Sequence, residues 1–321
     1  MSDLEKPTLL SETFTIAFYN TENLFDIYNN QSKNDRDYLP NSDKLWTKKR
    51  YQNKLDNIGL SISKIGHPET NGLPSIIGLA EIENGKVIQD LLDTMHLKDV
   101  PYDFVHFNSK DERGIDVALV YNKSEFTVTH SEIFALTFER PEGGNDFTRD
   151  ILLVTGLLKG ETISVLVNHW SSRREGTEQT EAKRLQSSKK VSHIITAIQA
   201  KQVDAKIIIM GDFNDDPHCK SIVQLIENHN LYNPMKTLRS YNRGSLVHDR
   251  KWHLFDQILF TMPFFESRKN YLEFDSAHIF DADFLKETKG KYRGAPLRTY
   301  AGYEHKGGFS DHFPVFITLK K

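Results

Sequence analysis

The sequence predicts an α/β fold of the α+β kind, built from mixed sheets with helices on the outside. Three observations carry that expectation. Short apolar runs rich in β-branched residues, such as Ile76-Ile77-Gly78-Leu79-Ala80 and Ile207-Ile208-Ile209-Met210, read as strands buried on both faces. The runs from Ile151 to Leu158 and from Ile163 to Val167 are joined through Lys159-Gly160-Glu161, which is too short for a crossover, so they form an antiparallel hairpin. Helical periodicity occurs only in isolated segments between such runs, unlike the regular alternation of a doubly wound parallel fold.

Taken in order, Phe14 to Phe18 is a short strand leading into Tyr19-Asn20-Thr21-Glu22-Asn23, with Asn20 and Glu22 on one face if the strand continues. Asp26 to Ser42 is polar and rich in turn residues, hence a loop. Leu55, Ile58, Ile62 and Ile65 recur at helical spacing, which predicts a helix over roughly Asp43 to Ile65. Pro74 to Ala80 is a buried strand that ends at Glu81, and Val87, Ile88, Leu91, Leu92 and Met95 give the next helix its apolar face. Strands follow at Asp103 to Phe107 and Val117 to Asn122, and then the hairpin, whose second strand ends in Asn168-His169-Trp170. Ser171 to Thr180 is a polar loop with Arg173 and Arg174 side by side. Val191, Ile194, Ile195 and Ile198 mark a helix that leads into the strand ending in Gly211-Asp212-Phe213-Asn214-Asp215-Asp216-Pro217. Ile222, Val223, Leu225 and Ile226 mark one more helix. Phe255 to Phe260 is a strand carrying Asp256, residues 263–309 read as a long irregular loop insertion, and Ser310-Asp311-His312 introduces a closing strand from Pro314 to Leu319.

Composition narrows the classes. The formal net charge of −3 removes the argument from a strongly basic surface to nucleic acid, although a local basic patch suffices for binding. The one cysteine, Cys219, excludes an internal disulfide framework and fits a reducing compartment. No run has membrane-span length, and Met1 to Pro7 lacks the apolar core of a signal peptide. The expectation is a cytoplasmic protein, or a secreted or periplasmic one if a leader was removed. With no repeat and no linker, residues 1–321 read as a single domain. No protein partner is inferable.

The polar residues at strand ends carry the chemistry. Asn20, Glu81, His169, Asp212 with Asn214, Asp256, and Asp311 with His312 each follow an apolar strand or precede one. Carboxylate and carboxamide oxygens are hard ligands suited to magnesium or manganese, whereas zinc prefers histidine and thiolate. There is no HExxH, no glycine-rich phosphate loop and no GxSxG elbow. An oxygen-bound metal with two histidines and arginines nearby suits phosphate ester hydrolysis. The metal neutralises phosphoryl charge, one histidine activates water and the other steadies oxygen charge.

At these positions the chain resembles the endonuclease/exonuclease/phosphatase superfamily. Tyr19-Asn20-Thr21-Glu22-Asn23, Leu79-Ala80-Glu81, Gly211-Asp212-Phe213-Asn214, Phe255-Asp256-Gln257-Ile258 and Ser310-Asp311-His312-Phe313-Pro314-Val315 match its motifs in order, nearly end to end. The resemblance implies a deoxyribonuclease I-like four-layer α/β/β/α sandwich of two mostly antiparallel sheets. It implies a divalent metal held by Glu81 and Asn20, with Asp311 supporting the shell. It also implies that Asp212 and Asn214 bind the phosphate, polarise water or hold a second metal, and that His312, oriented by Asp256, is the water-activating base or a phosphate clamp. A histidine at the position of His169 is found in the deoxyribonuclease, phosphatase and sphingomyelinase branches and not in the apurinic endonucleases. Arg113, Arg173, Arg174, Lys291, Arg293 and Arg298 are the candidate substrate contacts. The last three belong to a basic stretch interleaved with Tyr292, Tyr300 and Tyr303, which suits a polyanion. The leading expectation is a magnesium- or manganese-dependent nuclease. The alternatives are a phosphatase or phosphodiesterase of a small substrate, such as an inositol phosphate or lipid headgroup, and a binding module without chemistry.

Overall fold

The computed structural model describes residues 12–30, 33–139, 143–173, 176–268 and 270–321. Twelve strands, numbered β1 to β12 in chain order, form two six-stranded sheets. The first holds β1 (Thr13–Leu24), β2 (Ile76–Ile82), β3 (Tyr102–His106), β4 (Asp116–Asn122), β11 (Glu273–Ile279) and β12 (Val315–Lys320), in the order β11-β12-β1-β2-β4-β3. The second holds β5 (Phe126–Phe134), β6 (Ile151–Leu158), β7 (Glu161–His169), β8 (Lys206–Asp212), β9 (Leu231–Tyr232) and β10 (Asp256–Thr261), in the order β9-β10-β8-β7-β6-β5. Each sheet contains one parallel pair, β1 with β2 and β7 with β8, and is otherwise antiparallel.

Strand alternation sorts the apolar residues into three layers of core. Phe14, Ile16 and Phe18 of β1 meet Ile208 and Met210 of β8 between the sheets. Ala17 and Tyr19 point the other way, onto α1 (Lys48–Ile62) and α3 (Gly85–Leu92), which lie either side of the single turn α2 (His67–Thr70) in sequence. Ile207 and Ile209 pack outward on α4 (Thr177–Lys201) and α5 (Lys220–His229). The result is helices, sheet, sheet, helices. Burying each large aliphatic side chain contributes about 1.5–3 kcal/mol, so the inter-sheet layer holds the sheets face to face. Gly78 permits their close approach, because a Cβ there would lie 2.4 Å from Met210 Sδ.

Several boundaries differ from the sequence reading for identifiable reasons. α1 starts only at Lys48, because Thr47 caps it by accepting a hydrogen bond from the Arg50 amide. β1 runs on through Asn20 and Glu22 to Leu24, and α3 stops at Leu92, which leaves Met95 exposed. β5 was not expected from the sequence. It is an edge strand, largely exposed, and its residues alternate too weakly to announce it. Residues 263–309 are not a loop throughout, since β11 lies within them and pairs with β12 at the edge of the first sheet. The hairpin between β6 and β7 turns on Lys159 and Gly160, both with positive φ (48° and 86°), the primed-turn geometry that matches strand twist. Among the described residues no helix is long and apolar enough to cross a membrane.

Candidate active site

The site lies at one end of the inter-sheet layer, where the inward-facing positions turn from apolar to polar. On β8 the inward series Ile208, Met210 continues to Asp212. On β7, Val165 and Val167 continue to His169, and on β10, Phe260 and Ile258 lead back to Asp256. Strand register places these three side by side, with Asp212 opposite His169 on one flank and opposite Asp256 on the other. From the facing sheet, Asn20 continues the inward series of β1 and its Nδ2 donates to Asp212 Oδ2 at 3.0 Å.

His312 completes the group from the turn before β12. Its Nδ1 is 2.7 Å from Asp256 Oδ2, and its Nε2 stands 4.0 Å from Asp212 Oδ2 and 3.9 Å from Asp311 Oδ1. Ser310 fixes this turn: its hydroxyl donates to the Asn20 carbonyl at 2.6 Å and accepts from the His312 amide at 3.1 Å. His169 Nε2 is 3.7 Å from Asp212 Oδ2 and 3.9 Å from Glu81 Oε1. Glu81 sits at a break in the β2–β4 register and accepts the Asn23 amide through Oε2 at 2.7 Å. Asn214 serves the turn itself. Its amide donates to Asp212 Oδ1 at 2.9 Å and its Nδ2 to the Trp170 carbonyl at 3.0 Å.

The backbone is strained here. Glu22, Asn23, Glu81 and Asn214 all have left-handed φ values between 50° and 63°, which non-glycine residues seldom adopt. Each costs on the order of 1–3 kcal/mol, and such residues concentrate where side chains are aimed for function. In this site the strain lies at three places, Glu22-Asn23, Glu81 and Asn214, which aim Asn20, Glu81 and Asp212.

The electrostatics follow from burial. Burial pushes Asp212 well above the usual carboxylate range. His312 pulls it down, Asp256 pushes it further up, and the hydrogen bonds from Asn214 and Asn20 favour its charged form. Burial works against a charge on His312, but the carboxylates of Asp256, Asp212 and Asp311, Asp256 foremost, together hold the imidazolium well above the usual histidine range. Burial also opposes charge on Asp311, yet His312 and Arg298 hold its carboxyl below the ordinary value.

The donor set suits a metal ion. Asp212, Asp256 and His312 bring ligand atoms within 4.8 Å of one another, a group that could hold a cation, and buried Asp256 Oδ1 has no hydrogen-bond partner among the described residues. The short His312–Asp256 contact requires a proton, however, so that pair reads as a dyad before it reads as a ligand pair. The three oxygen donors expected from sequence each keep accepting capacity. Asn20 Oδ1 takes one bond from the Glu22 amide at 3.0 Å, Glu81 one through Oε2, and Asp311 one from Arg298 through Oδ2 at 2.6 Å.

The basic candidates divide. Arg113 faces the site, donating to Asn23 Oδ1 at 2.6 Å with Glu81 Oε2 at 3.9 Å. Arg298 pairs with Asp311 and separates two hollows that both reach Asp311. One, of about 360 Å³, holds Lys44, Arg113 and Tyr300. The other, of about 700 Å³, holds Arg250, Lys289, Lys291 and Tyr292. Arg293 lies on a neighbouring hollow with Arg250 and Lys291. Arg173 departs from the expected substrate role. Its guanidinium is bound to the Asn214 carbonyl at 2.7 Å and Asp215 Oδ1 at 2.8 Å and stacks over Phe255. It ties the Asp212 turn to its surroundings. Arg174 lies outside the described residues.

Sequence reasoning missed several supports. Asp215 also forms an ion pair with Arg184, Nε lying 2.8 Å away, and accepts a hydrogen bond from Ser221 Oγ at 2.6 Å. Asp216 binds His253 Nδ1 at 2.7 Å and the Leu254 amide at 2.8 Å, which fixes the approach to Asp256. Lys54 is fully buried in α1. The signal was present: Tyr51, Lys54, Ile58 and Ile62 share the helical spacing of a buried face.

Comparison with known proteins agrees with this fold. Solved structures align over almost the whole chain. A Bacteroides thetaiotaomicron endonuclease/exonuclease/phosphatase family protein has a TM-score of 0.60 at 16% identity, covering 97% of this chain and 98% of its own. A mannosyl-6-phosphatase from the same species gives 0.59 at 17%, covering 95% and 99%. D. rerio TDP2, solved with a single-strand DNA product, gives 0.56 at 15%, covering 96% and 99%. At these identities the structures establish the deoxyribonuclease I-like fold. No curated protein matches the sequence. The sequence profile of the Endonuclease/Exonuclease/phosphatase family matches residues 15–321, and with the whole chain spanned in this way, the protein belongs to that family as a phosphoester hydrolase.

Proposed function

We propose that the protein hydrolyses phosphodiesters in a polyanionic substrate, nucleic acid first, with a magnesium or manganese ion. The observation that carries this reading is the pair of hollows flanking Arg298 and Asp311, each lined by cations and tyrosine. A diester has two arms to place, and cations with aromatic rings suit phosphates and bases. Glu81 and Asn20, with Asp311 in support, would hold the metal, whose charge would neutralise that of the phosphoryl oxygens. Asp212, its affinity for a proton raised by burial, accepts the proton of the attacking water. His312, kept protonated by Asp256, donates a hydrogen bond from Nε2 to a phosphate oxygen, and His169 does the same beside Glu81. Asn214 holds Asp212 in place.

A second reading, a phosphomonoesterase, is favoured by the solved mannosyl-6-phosphatase, which superposes as closely as the DNA-bound protein does. The experiment is a screen of the purified protein with magnesium or manganese against plasmid DNA, RNA, a model diester and a panel of phosphomonoesters. Cleavage of nucleic acid and diester supports the first reading. Turnover of a monoester without nuclease activity replaces it with the second.

A further inference from the structure

A lysine lies on the buried face of α1. Lys54 is 1% exposed, and a buried ammonium is tolerated only when its hydrogens are satisfied. Its Nζ donates to Thr299 Oγ1 and to the Phe309 carbonyl. These two acceptors are the ends of one segment, residues 299–309. About one turn further along α1, Asn57 Nδ2 donates to the carbonyls of Gly307 at 3.0 Å and Gly308 at 3.1 Å. The Glu22 carboxylate, aimed by a left-handed backbone, accepts the Thr299 amide at 2.6 Å.

The segment held in this way frames the site. Arg298 precedes it and Ser310 follows it. Tyr300 and Gly302 line one hollow, and Ala301, Gly302 and Lys306 line the other. Asp212, Asp256 and His312 are held by strand pairing and by hydrogen bonds that do not include Lys54.

We propose that Lys54 is a positioning residue that pins both ends of the 299–309 segment and so sets the shape of the two hollows that grip the substrate. It governs binding rather than the chemical step. This rests on the hydrolase reading for its kinetic part and on the hydrogen bonds alone for its structural part.

The test uses the whole protein with Lys54→Met, which keeps the length of the side chain and removes the ammonium, and Thr299→Val, which removes one acceptor at nearly constant volume. Backbone amide exchange followed by mass spectrometry reads the segment. Steady-state kinetics with magnesium and thymidine 5′-(p-nitrophenyl phosphate) read the site. The expected result for Lys54→Met is exchange about tenfold faster or more in residues 299–309, with α1 unchanged. KM should rise about fivefold or more while kcat stays within about threefold. Thr299→Val should show the same pattern at smaller amplitude, and it decides the matter if Lys54→Met does not fold. Unchanged exchange in the segment overturns the proposal. So does a fall in kcat at constant KM, which is the signature of a smaller folded fraction. If the wild-type protein does not turn over this ester, the exchange measurement alone decides.

Discussion

Replacing Asp256 by Asn tests the dyad at the centre of the site. Asp256 is fully buried and its Oδ2 lies 2.7 Å from His312 Nδ1. Asn keeps the shape and can still accept the hydrogen bond, but it removes the foremost of the charges that oppose burial at His312. A hydrogen bond to a charged partner contributes about 1.5–3 kcal/mol, and a neutral one about 0.5–1.5 kcal/mol. The difference of about 1–1.5 kcal/mol corresponds to a loss of about five- to twelvefold in turnover where His312 is still protonated. A second effect adds to this with pH. In the wild type the raised affinity of His312 for its proton keeps the imidazolium present well above pH ~6.5, the ordinary histidine value. Without Asp256 that affinity falls, so the alkaline limb of the activity profile moves to lower pH. The stability change has the matching sign. Protonated His312 stabilises the wild type fully below pH ~6.5, and the contribution is lost as pH rises through the higher folded value. Asp256→Asn should therefore destabilise most at acid pH, with the gap closing toward alkaline pH. The assay is kcat/KM for a model diester, with thermal melts, from about pH 6 to about pH 9. Turnover within twofold of wild type and an unmoved alkaline limb would refute the reasoning.

Chelation should abolish activity, and Glu81→Ala should raise the magnesium concentration for half-maximal rate about tenfold or more, read by metal titration of turnover; full activity in excess chelator would sink the metal reading. His312→Ala and Asp212→Asn should each lose about a hundredfold or more in kcat while melting as cooperatively as wild type, and a His312→Ala protein within a few fold of wild type removes that residue from the mechanism. Neutralising Lys291, Arg293 and Arg298 together should raise KM for DNA or RNA and flatten its salt dependence, by about 0.7–0.9 in log–log slope per lost phosphate contact, and an unchanged salt slope would take these cations out of the substrate path. Arg173→Met should leave KM unchanged and lower stability by about 1.5–3 kcal/mol in denaturant melts, because the lost partners are Asp215 and the Asn214 carbonyl.

What could be read from sequence was whatever a strand's own alternation encodes. Asp212, His169 and Asp256 each extend an apolar series, so their convergence follows once three such strands are neighbours. β5 and β11 escaped because edge strands bury little and need no clear pattern. Arg173 shows a different gap between sequence and structure. Its position after His169 suggested phosphate, but Asp215 and Phe255, far along the chain, had already claimed its guanidinium. Lys54 was not singled out from the sequence, although its place in the apolar series of α1 carried the information.

The pairing of the first sheet strand with the last has a consequence for how the protein comes to be active. β1 and β12 lie side by side, Thr13 opposite Lys320, and the Ser310 hydroxyl reaches Asn20 across 290 positions of sequence. Contacts of such separation form late, because the chain must pay for a large closed loop before they reward it. A growing polypeptide can build β1, β2 and the helices that cover them, yet until the final strand docks it has neither His312 nor the turn that anchors Asn20. Closure of the first sheet therefore brings the partner strand of β1, the Ser310 hydroxyl that anchors Asn20, and His312 to the site together.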